Sequence, residues 1–258
     1  MKFKILIVLT FIALVAIACG VKKSPQSYQT KNDGMFAPVA VIELFTSQGC
    51  SSCPPADALL AQTIASAKKD NKNIFALSFH VDYWNRLGWA DPFSNAAYSA
   101  RQSNYVTAFK LDGAYTPQMI VNGKDQFTGS DNDALSKSLS NALSINAGIN
   151  FKTLTATCKD DKTIHLQYAL EGELTGSAIN FALVSLKETT IVKRGENGGH
   201  TLTNENIVRQ LITTKAAASG EINFAASPVP EKENIAMVAF VQQEKSLKII
   251  GAAMAKIN

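Results

Sequence analysis

Two cysteines separated by two serines form the most chemically informative segment of this 258-residue chain, Cys50-Ser51-Ser52-Cys53. This spacing brings two sulfurs close enough for a disulfide, and a thiolate at Cys50 can attack a partner disulfide while Cys53 resolves the mixed disulfide. The pair follows a predicted strand and precedes a predicted helix, whose positive end favours a thiolate. Pro54 and Pro55 suit the first turn of that helix, which leaves Cys50 in the preceding turn, where the dipole acts less strongly.

The segments around this pair alternate between strand and helix patterns. Apolar β-branched runs predict buried strands, a 3.6-residue apolar stripe predicts helices, and Asn122-Gly123 is a strong hairpin signal. Ser94-Asn95 and Ser130-Asp131 offer helix caps. The predicted elements are strand 38–45, helix 55–69, strand 73–81, helix 95–109, strand 117–121, strand 125–128 and a helix after residue 131. The predicted order is therefore β-α-β-α-β-β-α.

From about Gly148 the apolar pattern changes to period two, as in the alternation from Ile164 to Leu170. Several short strands separated by polar turns are typical of a β-sandwich. Further strand-like runs cover 179–186, 221–225, 235–241 and 247–253, and the segment 204–213 is helical or extended. We therefore predict two domains, residues 36–147 and a small all-β sandwich-like domain over 148–258.

The N-terminus predicts export. Lys2 and Lys4 precede an apolar run, Ile5–Ile17, that is too short to span a membrane and fits a signal peptide. The run ends in Ala-Ile-Ala-Cys19, which resembles a bacterial lipobox, so we predict a signal peptide over 1–18, lipidation of Cys19 and a flexible tether over 19–35. The alternative is an ordinary signal peptide cleaved near Ala18. The predicted location is the bacterial cell envelope, with the lipid as the membrane anchor.

Charge and cysteine count narrow the classes of partner. The formal net charge of +4 is too small and scattered for a nucleic-acid-binding surface, so we expect no nucleic-acid partner. We expect no metal site and no cofactor, because a structural zinc site usually needs four ligands and the chain has no second CxxC. Cys158, alone in a predicted strand, is expected to be a small core residue.

The sequence also resembles a known family. The segments Glu43–Asp57, His80–Trp84 with Leu87-Gly88-Trp89, and Arg194–Asn197 resemble an uncharacterised family of exported thioredoxin-like proteins, domain of unknown function 1223. This resemblance implies a thioredoxin-like fold for the first half. It also implies that Pro117, preceded by Thr116, is a cis proline beside the CxxC and that the two residues bind an extended substrate.

The thioredoxin resemblance suggests roles for further residues. Glu43 shares a strand face with Val41 and Phe45, so it would be either a buried acid that accepts the proton of the resolving cysteine or an edge-facing carboxylate with no role. His80 ends the second strand on the side of the CxxC, where it would tune the thiolate or relay a proton, or would be a structural histidine. Trp84 and Trp89 would form the wall of a substrate groove or pin a loop.

The glycine-rich and charged stretch 193–209 is either a long loop that folds over the first domain or a surface hairpin turn. In the first case Arg194, Glu196 and Arg209 would make contacts between the two halves.

Together these observations favour a thiol–disulfide oxidoreductase that uses Cys50 and Cys53 on a protein partner in the envelope. One alternative is a non-catalytic binding or scaffold lipoprotein in which the Cys50–Cys53 disulfide is permanent. The other is copper or zinc handling, because thiolates and the His80 imidazole suit both metals.

Overall fold

The computed structural model describes residues 36–160, 162–225 and 232–258, and its first half alternates strands and helices in the predicted order. The observed elements are β1 (Ala40–Thr46), α1 (Pro54–Lys69), β2 (Ile74–His80), α2 (Ala96–Phe109), β3 (Gln118–Val121), β4 (Asp125–Thr128) and α3 (Asn132–Leu143). A short 3-10 helix, Asn85–Leu87, lies between β2 and α2. Each predicted element is present, with bounds shifted by a few residues at most.

Strand β1 is buried on both faces because helices cover both sides of it. Alternate side chains of a strand point to opposite faces. Ile42 and Leu44 pack with Leu60 of α1, whereas Val41 and Phe45 belong to the core on the side of α2. This alternation decides which residues of β1 lie beneath the CxxC helix.

The predicted caps and hairpin are present. The Asn95 side chain accepts a hydrogen bond from the backbone N–H of Ala97, and Asp131 caps α3 through Ala134. Asn122 and Gly123 both have positive φ, 49° and 63°, as a type I′ hairpin requires. Each of these local sequence signals therefore predicted correctly where a helix begins or where the chain turns.

The second half consists of strands and one short 3-10 helix, Lys232–Asn234, over its described residues. Its strands are β5 (Ile149–Cys158), β6 (Thr163–Gly172), β7 (Ser177–Ile191), β8 (Thr201–Lys215), β9 (Ser219–Ala225), β10 (Ile235–Gln243) and β11 (Ile249–Lys256). The segment 204–213 is thus extended and forms most of β8.

The two halves share one eight-stranded sheet, in the order β11-β10-β7-β8-β2-β1-β3-β4. Strand β8 joins the halves by pairing in parallel with β2 at Ser78 and Ile207. The Asn206 amide adds a hydrogen bond of 3.0 Å to the carbonyl of Ala76. The protein is therefore mixed α/β with a large sheet, and the independence of the predicted domains 36–147 and 148–258 stays a prediction.

A three-stranded sheet, β5-β6-β9, packs on the β7, β10 and β11 part of the large sheet. The layer between the two sheets contains buried apolar side chains from both, including Leu166, Phe224, Phe181 and Met237. This is the face-to-face arrangement of a β-sandwich. Cys158 is a free thiol that packs half-buried against the edge of this core, rather than inside it as expected from the sequence.

The predicted signal peptide 1–18, the lipidated Cys19 and the tether 19–35 lie outside the described residues. None of the helices in the described part of the chain is long and apolar enough to cross a membrane. Lipid anchoring and the envelope location therefore stay predictions from the sequence.

Candidate functional site

The CxxC lies in the turn between β1 and α1. The backbone N–H of Cys50 donates to the carbonyl of Ser47 at 3.1 Å, and that of Cys53 donates to the carbonyl of Cys50 at 3.2 Å. Cys50 and Cys53 form a disulfide. Both cysteines are 0 % exposed, whereas Ser51 and Ser52 between them are exposed. The two serines of the CxxC turn are therefore at the protein surface, whereas both cysteine side chains are covered.

Two hydroxyl groups contact the sulfur of Cys50. The Thr116 hydroxyl donates to Cys50 Sγ at 3.3 Å, and the Ser52 hydroxyl is also 3.3 Å from this sulfur. The indole N–H of Trp84 donates to Thr116 Oγ1 at 2.8 Å. Because the disulfide sulfur of Cys50 carries no proton, the Thr116 hydroxyl is the donor in its contact with that sulfur. Hydrogen bonds of this kind would stabilise a Cys50 thiolate.

The residue after Thr116 is the proline predicted to flank the pair. The Thr116–Pro117 peptide bond is cis, and Pro117 is buried. The Ser52 hydroxyl contacts the carbonyl oxygen of Thr116 at 3.5 Å. The structure thus brings Thr116 and Pro117 against the CxxC turn, as the sequence resemblance implied.

A buried carboxyl group, Asp57, lies one helical turn after Cys53 on α1. It is 8 % exposed and accepts a hydrogen bond of 3.2 Å from the Thr46 hydroxyl, and its other oxygen has no partner among the described residues. Burial raises the pKa of Asp57 from its ordinary 3.8 to about 7, although His80, the hydrogen bond of Thr46 and the nearby Asn204 side chain oppose the rise. Asp57 is thus a carboxyl group that can exchange a proton near neutral pH.

Asp57 is not among the site residues predicted from the sequence. The available signal was its spacing, because residues four apart lie on one face of a helix. Its burial was not visible in the sequence, since β8 and the end of β1 produce it. Asp57 also lines a cleft between α1 and β8, together with Lys187 and Glu205.

His80 forms a fully buried pair with Asp91. Its Nδ1 lies 2.7 Å from Asp91 Oδ2, and Asp91 also accepts from the backbone N–H groups of Gln48 and Phe93. Burial would raise the pKa of Asp91, but His80 and these hydrogen bonds outweigh it and lower that pKa. Nε2 of His80 has no partner among the described residues. The proton-relay role of His80 stays a prediction, whereas its contact with Asp91 supports a structural role.

Glu43 lies on the opposite face of β1 from α1. The guanidinium of Arg101 donates to it, with an Nη2–Oε1 distance of 3.0 Å, and the hydroxyl of Tyr105 donates to the same oxygen. Arg101 also stacks over three aromatic rings, 5.4 to 5.6 Å from their centroids. The predicted proton-acceptor role of Glu43 stays a prediction, and the structure gives this carboxylate an ion-pair partner in α2.

The two tryptophans hold the loop after β2 against the site. Trp84 bonds to Thr116, and the indole N–H of Trp89 donates to Gln48 Oε1 at 3.3 Å. Both are half-buried. Trp84 therefore contacts the CxxC through Thr116, whereas Trp89 contacts the turn that leads into it.

The second half of the chain also reaches the CxxC. The turn between β7 and β8 places the Glu196 carboxylate 3.0 Å from the backbone N–H of Ser51. The Asn197 amide donates to the carbonyls of Gln48 and Cys50 at 3.0 and 2.9 Å. The contact predicted for Glu196 is thus present at the CxxC itself, and Asn197 is an additional site residue that was not predicted from the sequence.

Arg209 makes a contact between the two halves, because its guanidinium lies over the ring of Phe93 at 5.1 Å. No cluster of three or more His, Cys, Asp or Glu side chains that could hold a metal ion occurs among residues 36–160, 162–225 and 232–258.

A family model described as a protein of unknown function, DUF1223, matches residues 41–242. The chain belongs to this family. It is similar to the crystal structure of protein AGR_C_4864 from Agrobacterium tumefaciens, with 27 % identity, a TM-score of 0.63 and coverage of 84 % of this chain and 94 % of that one.

A second solved structure is a domain of the outer membrane lipoprotein Omp28 from Porphyromonas gingivalis. It has 19 % identity and a TM-score of 0.27, and the match covers 43 % of this chain and 89 % of that one. This similarity is too low to carry an argument about fold or location. No curated protein matches the sequence.

Proposed function

We propose that this member of the DUF1223 family is a thiol–disulfide oxidoreductase with a thioredoxin-like first half, anchored by lipid in the bacterial cell envelope. The observation that carries the proposal is that one site contains both a Cys50 sulfur that accepts a hydrogen bond from a hydroxyl group and a buried carboxyl group, Asp57, one helical turn beyond Cys53. An exported compartment permits the disulfide to persist. The partner would be a protein with an exchangeable thiol or disulfide.

The reaction needs two sulfur exchanges. In the reduced protein the Cys50 thiolate attacks a partner disulfide, forming one new sulfur–sulfur bond and releasing one partner thiolate. Cys53 then loses its proton and attacks the Cys50 sulfur, which re-forms the Cys50–Cys53 disulfide and releases the second partner thiolate. The protein loses two electrons and the partner gains them, and the reverse sequence oxidises a dithiol.

Asp57 is the group we assign to the proton of Cys53. A general base works best when its pKa is near the working pH, and the pKa of about 7 satisfies this condition. The cleft lined by Asp57 and Glu205 offers the proton a route away from the buried carboxyl. Glu43 suits this role less well, because Arg101 and Tyr105 occupy its oxygens.

A trapping experiment tests the assignment of Cys50 as the nucleophile. In a Cys158→Ala background, the Cys53→Ala variant is expected to form a stable mixed disulfide with glutathione disulfide, detected by intact mass. The matched Cys50→Ala variant, which retains Cys53, is expected to form little adduct. Equal adduct formation on both variants would contradict the proposed division of roles.

The complete burial of both sulfurs favours one other function, a scaffold lipoprotein with a permanent Cys50–Cys53 disulfide. In that case neither single-cysteine variant would form an adduct at a rate above that of an exposed reference thiol. The same experiment therefore separates the two functions.

A further inference from the structure

The surrounding structure covers the disulfide completely, and the proposed reaction cannot occur while the disulfide stays covered. An attacking sulfur must approach one sulfur of the pair along the line of the bond that breaks. Cys50 and Cys53 are nevertheless both 0 % exposed. Some part of the structure over the CxxC turn must therefore move before a partner reacts.

The turn between β7 and β8, residues 192–200, lies on the CxxC turn. We refer to these residues as the lid loop. Three hydrogen bonds join the lid loop to the turn: two from the Asn197 amide to the carbonyls of Gln48 and Cys50, and one from the backbone N–H of Ser51 to Glu196. All three end on backbone groups within two residues of the nucleophile.

The lid loop is closed on itself independently of these contacts. The N–H of Gly199 donates to the carbonyl of Val192, and the N–H of Gly198 donates to that of Gly195. Gly195 and Gly199 have positive φ, 75° and 86°, which other residues rarely adopt. Val192 at the base of the loop is completely buried, so residues 193–199 are the part that can leave the CxxC turn while the loop's own hydrogen bonds remain intact.

The contacts between the lid loop and the site differ in burial. Asn197 is 6 % exposed and replaces solvent at two carbonyls of the CxxC turn, whereas Glu196 is exposed. A hydrogen bond at an exposed carboxylate competes with water and contributes less than a buried one. Asn197 is therefore the stronger of the two polar contacts between the lid loop and the CxxC turn.

We propose that the lid loop gates the Cys50–Cys53 pair and that Asn197 is its latch. This inference rests on the proposed function, since a gate matters only for a pair that reacts. In the closed state the loop shields the disulfide from small thiols in the envelope, and a partner that displaces Asn197 from the carbonyls of Gln48 and Cys50 gains access. The second half of the chain thereby controls reaction at a site built by the first half.

The test measures how fast a water-soluble phosphine reduces the oxidised full-length protein. The free thiols are alkylated at each time point and the adducts are detected by mass spectrometry. We expect Asn197→Ala to be reduced about tenfold faster than the wild type, because two neutral hydrogen bonds of the closed state are lost. Glu196→Gln is expected to accelerate reduction about twofold. His200→Ala is the matched control, since this exposed side chain lies in the same loop and is expected to leave the rate unchanged.

Two results would overturn the gate: an Asn197→Ala rate equal to that of the wild type, or an equal acceleration by His200→Ala. Denaturant unfolding of each oxidised variant shows whether a faster rate comes from loss of the whole fold, and a rate increase that follows global stability alone would also overturn it. The phosphine drives reduction to completion whatever the potential of the pair. A failure of the redox proposal, seen as a pair that glutathione does not reduce, is therefore distinguishable from a failure of the gate.

Discussion

Replacing Asp57 by asparagine should stabilise the protein at alkaline pH and at the same time slow its thiol exchange. Asp57 is almost completely buried, with one oxygen bonded to Thr46 and the other without a partner among the described residues. Ionisation of this group in the folded protein is therefore costly, and asparagine removes the charge while keeping the shape.

The magnitude follows from the raised pKa. Between the ordinary pKa of 3.8 and the folded value of about 7, the folded chain holds a proton on Asp57 that the unfolded chain has lost. The free energy of unfolding therefore falls as pH rises through this window, by about 1.4 kcal/mol per pH unit, and stays low above it. From pH 5 to pH 8 the contribution of Asp57 should decrease by about 2 to 3 kcal/mol.

The assay is denaturant unfolding of the oxidised protein at pH 5 and pH 8. Relative to the wild type, the Asp57→Asn variant should gain about 2 to 3 kcal/mol between the two pH values. Asp70→Asn, an exposed change at the end of the same helix, is the matched control and should show no such gain. Parallel pH profiles for the wild type and Asp57→Asn would refute the raised pKa.

The same variant separates stability from activity. Without a carboxylate to accept the Cys53 proton, thiol exchange at pH 7 should slow by about 100-fold, the usual contribution of a positioned general base. The rate is measured with a disulfide-linked fluorescent peptide. A variant that is more stable but exchanges at the wild-type rate would leave Asp57 a buried acid with no role in the reaction.

Three further changes test neighbouring groups. Thr116→Val removes the hydroxyl bonded to the Cys50 sulfur, so alkylation of the reduced protein at pH 7 should slow about tenfold, and an unchanged rate would contradict that bond's role. Glu43→Gln leaves the charge of Arg101 unpaired and should cost about 3 kcal/mol in denaturant unfolding. The pH profile of exchange should stay unchanged in this variant, and a shifted profile would restore Glu43 as the proton acceptor. Cys158→Ala should cost about 1 kcal/mol and leave the redox behaviour intact, which alkylation and mass would show.

Local signals predicted much of the first half. The N-caps at Asn95 and Asp131 and the Asn122-Gly123 hairpin depend on backbone preferences of a few adjacent residues, and all three are present. Pairing between distant strands has no such local signal. The insertion of β8 beside β2, which joins the two halves in one sheet, was therefore not predicted.

The candidate site shows the same difference between local features, which the sequence predicts, and features that depend on packing between distant segments, which it does not. The cysteine pair and Thr116-Pro117 were recognisable by spacing and family resemblance, and the structure brings them together. Glu43 lies inward, one of the two positions expected for it, but alternation along β1 turns it away from the CxxC helix and towards Arg101 of α2. Asp57 and Asn197 acquire their roles from packing against β8 and the lid loop, which the sequence pattern does not specify.

The most direct test of the central claim is the redox equilibrium of Cys50 and Cys53. The Cys158→Ala protein would be equilibrated across ratios of reduced to oxidised glutathione. Its free thiols would then be trapped with an alkylating reagent and counted by mass spectrometry. The proposed function predicts a reversible transition in which both thiols appear together, as expected for a two-electron couple. A pair that stays oxidised in excess reduced glutathione, even in the Asn197→Ala protein, would contradict the redox role and identify the disulfide as a permanent structural link.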